Sequence, residues 1–520
     1  MYNLVEDIKY TGGIFMFKDI LTKENVTFKD LEEIAYKIAC EFANEILKNM
    51  LEEYDKQIMD NRDKTRFRHK GQETTTIKAK TGLVEYRRTK YVEKQDDGSN
   101  KCVYLTDNIL NIKEIGQVSG GIIDLIVKNI SEVSFRVCAE MINNMTGLTI
   151  SGVAVWNIVQ KLGEEIKQYE KEKVEAYQED KLKAGEKETP TVYQEADGIM
   201  IYTQGKDRKE QIEKYKKEHP NEEVPKKVRN IELKLGMTYE GWKEIGKNRY
   251  ALVGKEYVAG YMTGEEMADI TNANLHSKYD MSKVELRVLN SDGGSWIKRL
   301  ITAKAIYQAD SYHLKEKITT HVRDTEDAEI LKAMFYKKEY SKMIEYVETL
   351  KYKYDGEIEE VEKLNELQRY LNKRKETMKR YKDYDGVKQK LKTYSKKTGL
   401  KYRNMGCQES NNYCRLTRRM KKKRMSWSKN GSENIAKVIT MYASESCTDI
   451  IKHLNIQILP ESYIEYAEKY IKEIEENIKE LKKNKVKAKK VYTFKQGSLE
   501  GYPKLKKILE NKAISELVYR

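Results

Sequence analysis

The chain has 520 residues, 98 of them Lys or Arg and 83 Asp or Glu, for a formal net charge of +15. That length exceeds one ordinary core and predicts several domains, while the cationic excess predicts a polyanionic partner whose phosphates release counterions on binding. No run of about 20 apolar residues occurs, the start Met1-Tyr2-Asn3-Leu4 has no basic segment followed by an apolar one, and the six cysteines form no C-x-x-C pair; these features argue against a membrane span, a secretory leader, a zinc finger and a disulfide framework.

Taken in order, residues 1–72 read as a helical region. Within it 25–60 is amphipathic, with Leu31, Ile34, Ala35, Ile38, Ala39 and Phe42 on one face, a pattern that suits an oligomerisation element and a core helix equally. Residues 73–115 read as a β-hairpin region, from the alternation in Thr74–Val92 and Lys101–Leu105 around Asp97-Gly98. Arg87, Arg88 and Lys90 there suit either a DNA contact or the defence of an exposed strand edge.

Residues 116–165 read as helix-turn-helix. The spacing of Val133, Val137, Cys138, Met141, Ile142 and Met145 predicts a helix over Ser131–Thr146, Gly147 the turn, and Ser151 the cap of a second helix. Ser151, Asn157, Gln160 and Lys161 are then the candidate groove-facing residues; an ordinary αα-hairpin of a core is the other reading. Residues 166–190 follow as a charged linker helix.

From 191 the period changes. Thr191–Tyr202, Ile231–Tyr239 and Tyr250–Met262 read as three strands, with turn signals at Gly241-Trp242 and Gly246-Lys247-Asn248. A helix over Glu265–Lys278, a fourth strand over Val284–Asn290, a short helix near Trp296–Thr302, a fifth strand over Ala305–Gln308 and a helix from Ser311 complete residues 191–323. The order β-β-β-α-β-α-β-α predicts antiparallel pairing first and parallel crossovers later, hence a mixed sheet covered by helices. Such an order resembles the ribonuclease-H-like fold. Residues 324–400 carry charged periodic stretches, Ala328–Leu350 and Val361–Tyr381, and read as an all-helical insertion; 401–445 close the core and 446–520 form a basic helical tail.

Three acids sit in distinctive strings: Asp197 in EADGI, Asp292 in SDGGSWIK and Glu409 in QESNN. Asp-Gly alone is an ordinary turn pair, so the surrounding strings carry the weight. With YEGW at Tyr239–Trp242, QADSYHL at Gln308–Leu314 and RRMKKKRMSWSKNGSEN after the third acid, they resemble an ISLre2-type bacterial transposase, UPF0236-like and similar to the Mutator-like transposases. The resemblance implies a DDE triad of Asp197, Asp292 and Glu409 that binds two Mg²⁺ ions, with Mn²⁺ as a substitute. Such a pair activates one oxygen and stabilises another during in-line phosphoryl transfer. Glu433, 24 positions beyond Glu409, is the rival third acid.

The resemblance also implies a signature pair, Asp310 and His313. As residues they equally suit a helix cap and a core histidine. Between Arg415 and Arg424 seven of ten residues are basic, which makes Arg415, Arg418, Arg419, Lys421 and Lys422 candidate DNA contacts beside the acids. A second cluster, Lys482–Lys490, suits a solvated tail as well as a contact.

The expectation is therefore a multidomain α/β protein whose ribonuclease-H-like mixed sheet is interrupted by helices and preceded by a helix-turn-helix. It would cut and join the DNA ends of its own mobile element as a homo-oligomer, in a bacterial cytoplasm at the nucleoid and away from membranes. A DNA nuclease of the same fold and a non-catalytic DNA-binding descendant are the alternatives.

Overall fold

A computed structural model describes residues 27–95, 98–110, 117–302, 305–406, 416–421, 425–447 and the single positions 472, 476 and 479. The chain divides into two compact units, residues 1–457 and 458–520, and all that follows concerns the first. Glu409, Arg415, Lys422 and the cluster Lys482–Lys490 lie outside the described residues.

Helix α1 (Phe28–Asn61) starts at a capping box in which Thr27 and Asp30 satisfy each other's backbone N–H groups. No residue of the face predicted from its apolar spacing is buried: Leu31, Ile34 and Ile38 are half-buried, and Ala35, Ala39 and Phe42 are exposed. Its buried residues are Cys40, Tyr54 and Asp55, because the helix packs on strand β2 (Gly82–Lys94). Strand β1 (Phe67–Ala79) pairs antiparallel with β2, which pairs with β3 (Asn100–Val103). Thr74–Val92 is thus a hairpin in itself, with a two-residue connection at Lys80-Thr81 that carries no turn signature. Tertiary bonds supply what the sequence lacks: Thr81 donates to Asn44 Oδ1 at 2.6 Å, and the Gly147 N–H donates to the Lys80 carbonyl at 2.8 Å.

After α2 (Leu105–Leu110) come α3 (Gly120–Ile130), α4 (Phe135–Met145) and α5 (Gly152–Gln178). The helix predicted from Ser131 begins four residues later, since Ser134 accepts the Val137 N–H as its cap. Gly147 does not adopt a left-handed turn; a side chain there would meet the Thr81 carbonyl at 2.3 Å. Ser151 caps α5 as predicted, accepting the Ala154 N–H at 3.2 Å. That helix runs 27 residues without a break.

Strand β4 (Thr191–Tyr202) has the predicted bounds. A helix that periodicity missed, α6 (Gly205–Glu218), separates it from β5 (Asn230–Tyr239). The miss has a physical cause: α6 buries no residue and so shows no apolar stripe. The expected third strand is two, β7 (Arg249–Val253) and β8 (Glu256–Gly260), split where Gly254 takes φ +74° and donates its N–H to Glu445. The expected turn at Gly241 is instead strand β6 (Gly241–Gly246), paired with β7 as a separate ribbon.

Helix α7 (Gly264–Lys278) begins at a Thr263/Glu266 capping box. It is followed by β9 (Leu286–Ser291), a 3-10 turn over Ser295–Leu300 and β10 (Ala305–Ala309). The five-stranded sheet has the order β10-β9-β4-β5-β8; β9 and β10 run parallel to β4, and β5 and β8 alternate antiparallel. One face carries Tyr193, Ile199, Val288 and Leu235 into a core shared with α3, α4, α5 and the late helices α12 (Val387–Thr398) and α13 (Lys429–Ala443). The other carries Ala196, Leu289 and Val258 against Met267 of α7 and Ile297. Between the sheet and α12, α8 (Ser311–His321), α9 (Thr325–Tyr336), α10 (Tyr340–Lys353) and α11 (Ile358–Arg374) close over their own core of Leu331, Phe335, Met343, Val347, Leu364 and Leu367. Ala328–Leu350 is interrupted where Lys338 adopts φ +65°.

Helices α5 and α13 meet at Gly163, where a methyl group would stand 2.4 Å from Asn434 Cβ. Alanine is intrinsically about 1 kcal/mol better than glycine inside a helix, yet overpacking a tight contact costs about 1–3 kcal/mol. Gly163→Ala is therefore expected to lower the urea unfolding midpoint. Gly120→Ala, where the added methyl meets nothing within 4 Å, is expected to leave it unchanged or raise it.

Candidate active site

Three short strings line up across the three parallel strands: Asn290-Ser291-Asp292 and Gln308-Ala309-Asp310 close β9 and β10, and Glu195-Ala196-Asp197 lies within β4 where its ladder with β9 ends. Each is a polar residue, a small one and an aspartate. The ladder pairs Ala196 with Ser291 and Ser291 with Ala309, so the small residues form one row across the sheet and the aspartates start the next. Neighbouring strands lie about 4.8 Å apart. Because side chains alternate along a strand, the aspartates share a face with Glu195, Asn290 and Gln308.

Asp197, Asn290, Asp292, Asp310, Tyr312 and His313 all line one small cleft at this sheet end. The carboxyl ends of parallel strands are where open α/β sheets present ligand sites.

Each aspartate is held by local backbone. Asp197 Oδ1 accepts the Gly198 N–H at 2.7 Å, and Asp292 Oδ1 accepts the Gly294 N–H at 3.0 Å. Asp310 is the most enclosed: its Oδ1 caps α8 through the Tyr312 N–H, and its Oδ2 accepts from Asn290 Nδ2, both at 2.6 Å. Its capping role, one of two readings of the sequence, is thus present in the structure. His313 stands 3.5 Å from Glu316 through Nδ1.

Beneath the aspartates runs a buried polar row that the sequence reading missed. Gln308 Nε2 donates to Asn290 Oδ1 at 2.9 Å, and Gln308 Oε1 accepts the Tyr381 N–H at 2.9 Å. Glu195, fully buried, accepts from Tyr239 Oη at 2.6 Å and from the Gly406 N–H at 3.4 Å. A signal was available: the order polar, small, aspartate recurs three times, at 195–197, 290–292 and 308–310.

A cation reaches the site from α11. Arg374 donates to the Asp292 carbonyl at 2.5 Å and stacks 3.9 Å from the Tyr370 ring centroid. Burial pushes the Tyr370 phenol up, Arg374 opposes that rise, and the Asp292 and Asp310 carboxylates add to it.

The remaining predicted residues fall elsewhere. Asn157 and Lys161 are exposed on the first turns of α5 beside Val153 and Trp156. Gln160 turns inward, and its carbonyl oxygen accepts from Asn434 Nδ2 at 3.0 Å. Glu433, the rival third acid, accepts the Tyr261 N–H at 2.8 Å at the β8 edge and stands 3.9 Å from Lys167. In the basic segment Arg418 is exposed and pairs with Glu132 at 3.2 Å, and Lys421 is half-buried. Arg419 is only 3% exposed, donates to the Ile130 carbonyl and lies between the rings of Phe135 and Trp427. Burial pulls its guanidinium down to about 10. It fastens the segment to α3.

Among the described residues no group of three or more His, Cys, Asp and Glu side chains is arranged to hold a metal ion, and no helix is long and apolar enough to cross a membrane. The model of an uncharacterised protein family, UPF0236, matches residues 21–450. This chain belongs to the UPF0236 family. The match spans the aspartate row, the helices that follow it and the Glu409 segment. No curated protein matches the chain.

Removing one member of the polar row tests its role. Asn290→Leu keeps similar bulk but leaves Asp310 Oδ2 and Gln308 Nε2 without a partner. It is expected to cost about 1–3 kcal/mol of stability, read as a lower thermal midpoint.

Proposed function

We propose that this chain is a DDE DNA transposase of the ISLre2 type, cutting and joining the ends of an insertion element, with Asp197, Asp292 and Glu409 as its acids. The observation that carries the reading is the aspartate row. Two acids of the expected triad stand on adjacent parallel strands, one residue beyond the same ladder pair, and line the same cleft.

The sheet supports a ribonuclease-H-like core. Numbering only its own strands in chain order, it reads 3-2-1-4-5, with the fourth and fifth parallel to the first. This order follows from three antiparallel strands succeeded by β-α-β steps.

Chain reach supports the third acid. Gly406 lies against the site: a side chain there would meet Asp310 Oδ2 at 3.8 Å. An extended chain advances at most about 3.6 Å per residue, so the Glu409 α-carbon is within about 11 Å of that of Gly406. Glu433 lies at the far edge of the sheet, its carboxylate already engaged by Tyr261.

The donor set of Asp197 and Asp292 suits Mg²⁺ or Mn²⁺, since both offer only carboxylate oxygens. Two such ions, held by these aspartates and Glu409, would supply nucleophile activation and charge stabilisation for phosphoryl transfer. The chain's own residues fix the two aspartates by the ladder, hold their carboxylates through Gly198 and Gly294 N–H groups, and back them with a hydrogen-bonded polar row. DNA would be drawn by the net charge of +15 and by exposed cations such as Arg418 and Lys161. The α4–α5 pair fits a helix-turn-helix through the exposed stripe of Val153, Trp156, Asn157 and Lys161.

The deciding experiment is strand joining of labelled element-end DNA with Mg²⁺ or Mn²⁺. Asp197→Asn, Asp292→Asn and Glu409→Gln are each expected to abolish the joined product while DNA binding persists. Survival in Glu409→Gln with loss in Glu433→Gln would move the third acid; cleavage without joining in the parent protein would make it a nuclease.

A second test separates phosphate contacts from structural cations. Each phosphate contact contributes about 0.9 to the slope of log affinity against log salt. Arg418→Gln and Lys161→Gln are expected to flatten that slope, whereas Arg419→Gln lowers the thermal midpoint and leaves the slope of the folded fraction unchanged.

A further inference from the structure

One of the helices inserted between the second and third acids, α11, reaches back to the acid row. Tyr370 and Arg374 lie four residues apart near the end of α11, hence on one helix face. That face meets the turn Asp292-Gly293-Gly294. The guanidinium donates to the Asp292 carbonyl at 2.5 Å and lies flat over Gly293, where a methyl group would meet Nη2 at 2.7 Å and Nε at 3.2 Å. Its other face covers the Tyr370 ring. Gly293 itself takes φ +88°, so a side chain there is opposed both by the backbone and by the arginine. Arg374 Nε is buried without a hydrogen-bond partner.

The turn is what directs the Asp292 carboxylate. Its Gly294 N–H binds Asp292 Oδ1, and its Gly293 N–H binds Ser291 Oγ at 3.2 Å. Fixing the Asp292 carbonyl fixes the Asp292–Gly293 peptide plane, which carries the Gly293 N–H and leads directly into the peptide that carries the Gly294 N–H.

We infer that Arg374 is a positioning residue: stacked on Tyr370, it clamps the Asp292-Gly293 turn and so sets the aim of the Asp292 carboxylate from within the helical insertion. This rests on the proposed role of Asp292 for its effect on activity, but the clamp itself does not. Lysine is a poor replacement, since an ammonium cannot lie flat between a ring and a glycine while donating along the plane.

Two readouts on the full-length protein test the inference separately from the function. The first is hydrogen exchange of the peptide covering 291–296 in the parent, Arg374→Ala, Arg374→Lys and Tyr370→Phe. Both arginine variants are expected to accelerate exchange there by about tenfold or more while the thermal midpoint and exchange in β4 hold steady. Tyr370→Phe, which keeps the ring, should match the parent. Unchanged exchange at 291–296 in Arg374→Ala would overturn the clamp, whatever the protein's activity.

The second is Mn²⁺ titration together with turnover on element-end DNA. Loss of a group that orients a metal-binding carboxylate costs about 10–100-fold in metal affinity or activity. The arginine variants are expected to lose turnover or Mn²⁺ affinity on that scale at unchanged KM for DNA. A rise in KM alone would make Arg374 a DNA contact and overturn the positioning role. A parent protein that neither binds Mn²⁺ nor turns over would reject the transposase reading, and the exchange result would still decide the clamp.

Discussion

Everything at the candidate site depends on the register of three parallel strands. Side chains alternate with a period of two, so a slip of one residue in β9 would send Asp292 to the face that packs on α7 and put Ser291 in its place. Register is held from both sides. Val288 belongs to the core shared with α5 and α13, whereas its neighbour Leu289 packs beside Met267 and Ile297. Either displacement would put a polar residue into one of these cores. The buried hydrophobic pattern thereby determines where two carboxylates stand, although neither Val288 nor Leu289 lines the cleft.

The polar row behind the aspartates lies within a sheet buried on both faces. Glu195, Asn290 and Gln308 are all nearly inaccessible, and buried polar groups without partners cost about 1–3 kcal/mol each. Here they bond to one another and to segments distant in sequence: Tyr239 and Gly406 to Glu195, Asp310 to Asn290, Tyr381 to Gln308. Satisfied in this way, the row ties the end of the helical insertion and the chain leading to Glu409 onto the strands that carry the other acids. Oily residues in the same places would pack as well but would carry no directional bond to those loops.

Much of this was legible in the sequence, and the parts that were not share a cause. The bounds of β4, the capped starts of α5, α7 and α8, and the end of β9 at Asp292 follow from local signals: alternation, Ser or Thr or Asp before a helix, Asp-Gly after a strand. The turn at Lys80-Thr81 has no such signal because its bonds come from Asn44 and Gly147. The split of β7 from β8 at Gly254 needs Glu445, almost two hundred residues away. Arg419 read as a surface cation because six neighbours in its cluster are basic; only the fold reveals that Phe135, Trp427 and the Ile130 carbonyl surround it. Arg374 shows the same limit from the other side, since nothing local marks one cation in a charged helix as the one that meets Asp292.

The distribution of charge gives the site its demand. The chain carries a net +15, yet the cleft gathers Asp197, Asp292 and Asp310, with Glu195 beneath, and the cation found against this turn gives its hydrogen bond to a carbonyl rather than a carboxylate. Two unit charges 4 Å apart interact with about 4 kcal/mol at the effective dielectric of a protein surface. A phosphate entering this cleft would therefore be repelled by each carboxylate in turn, while the exposed cations on α5 and at Arg418 could hold DNA only at the periphery. Under the transposase reading the two features are complementary. The basic surface concentrates the polyanion, and the acid row admits it only together with divalent cations, which makes the site selective for metal-loaded chemistry by electrostatics alone.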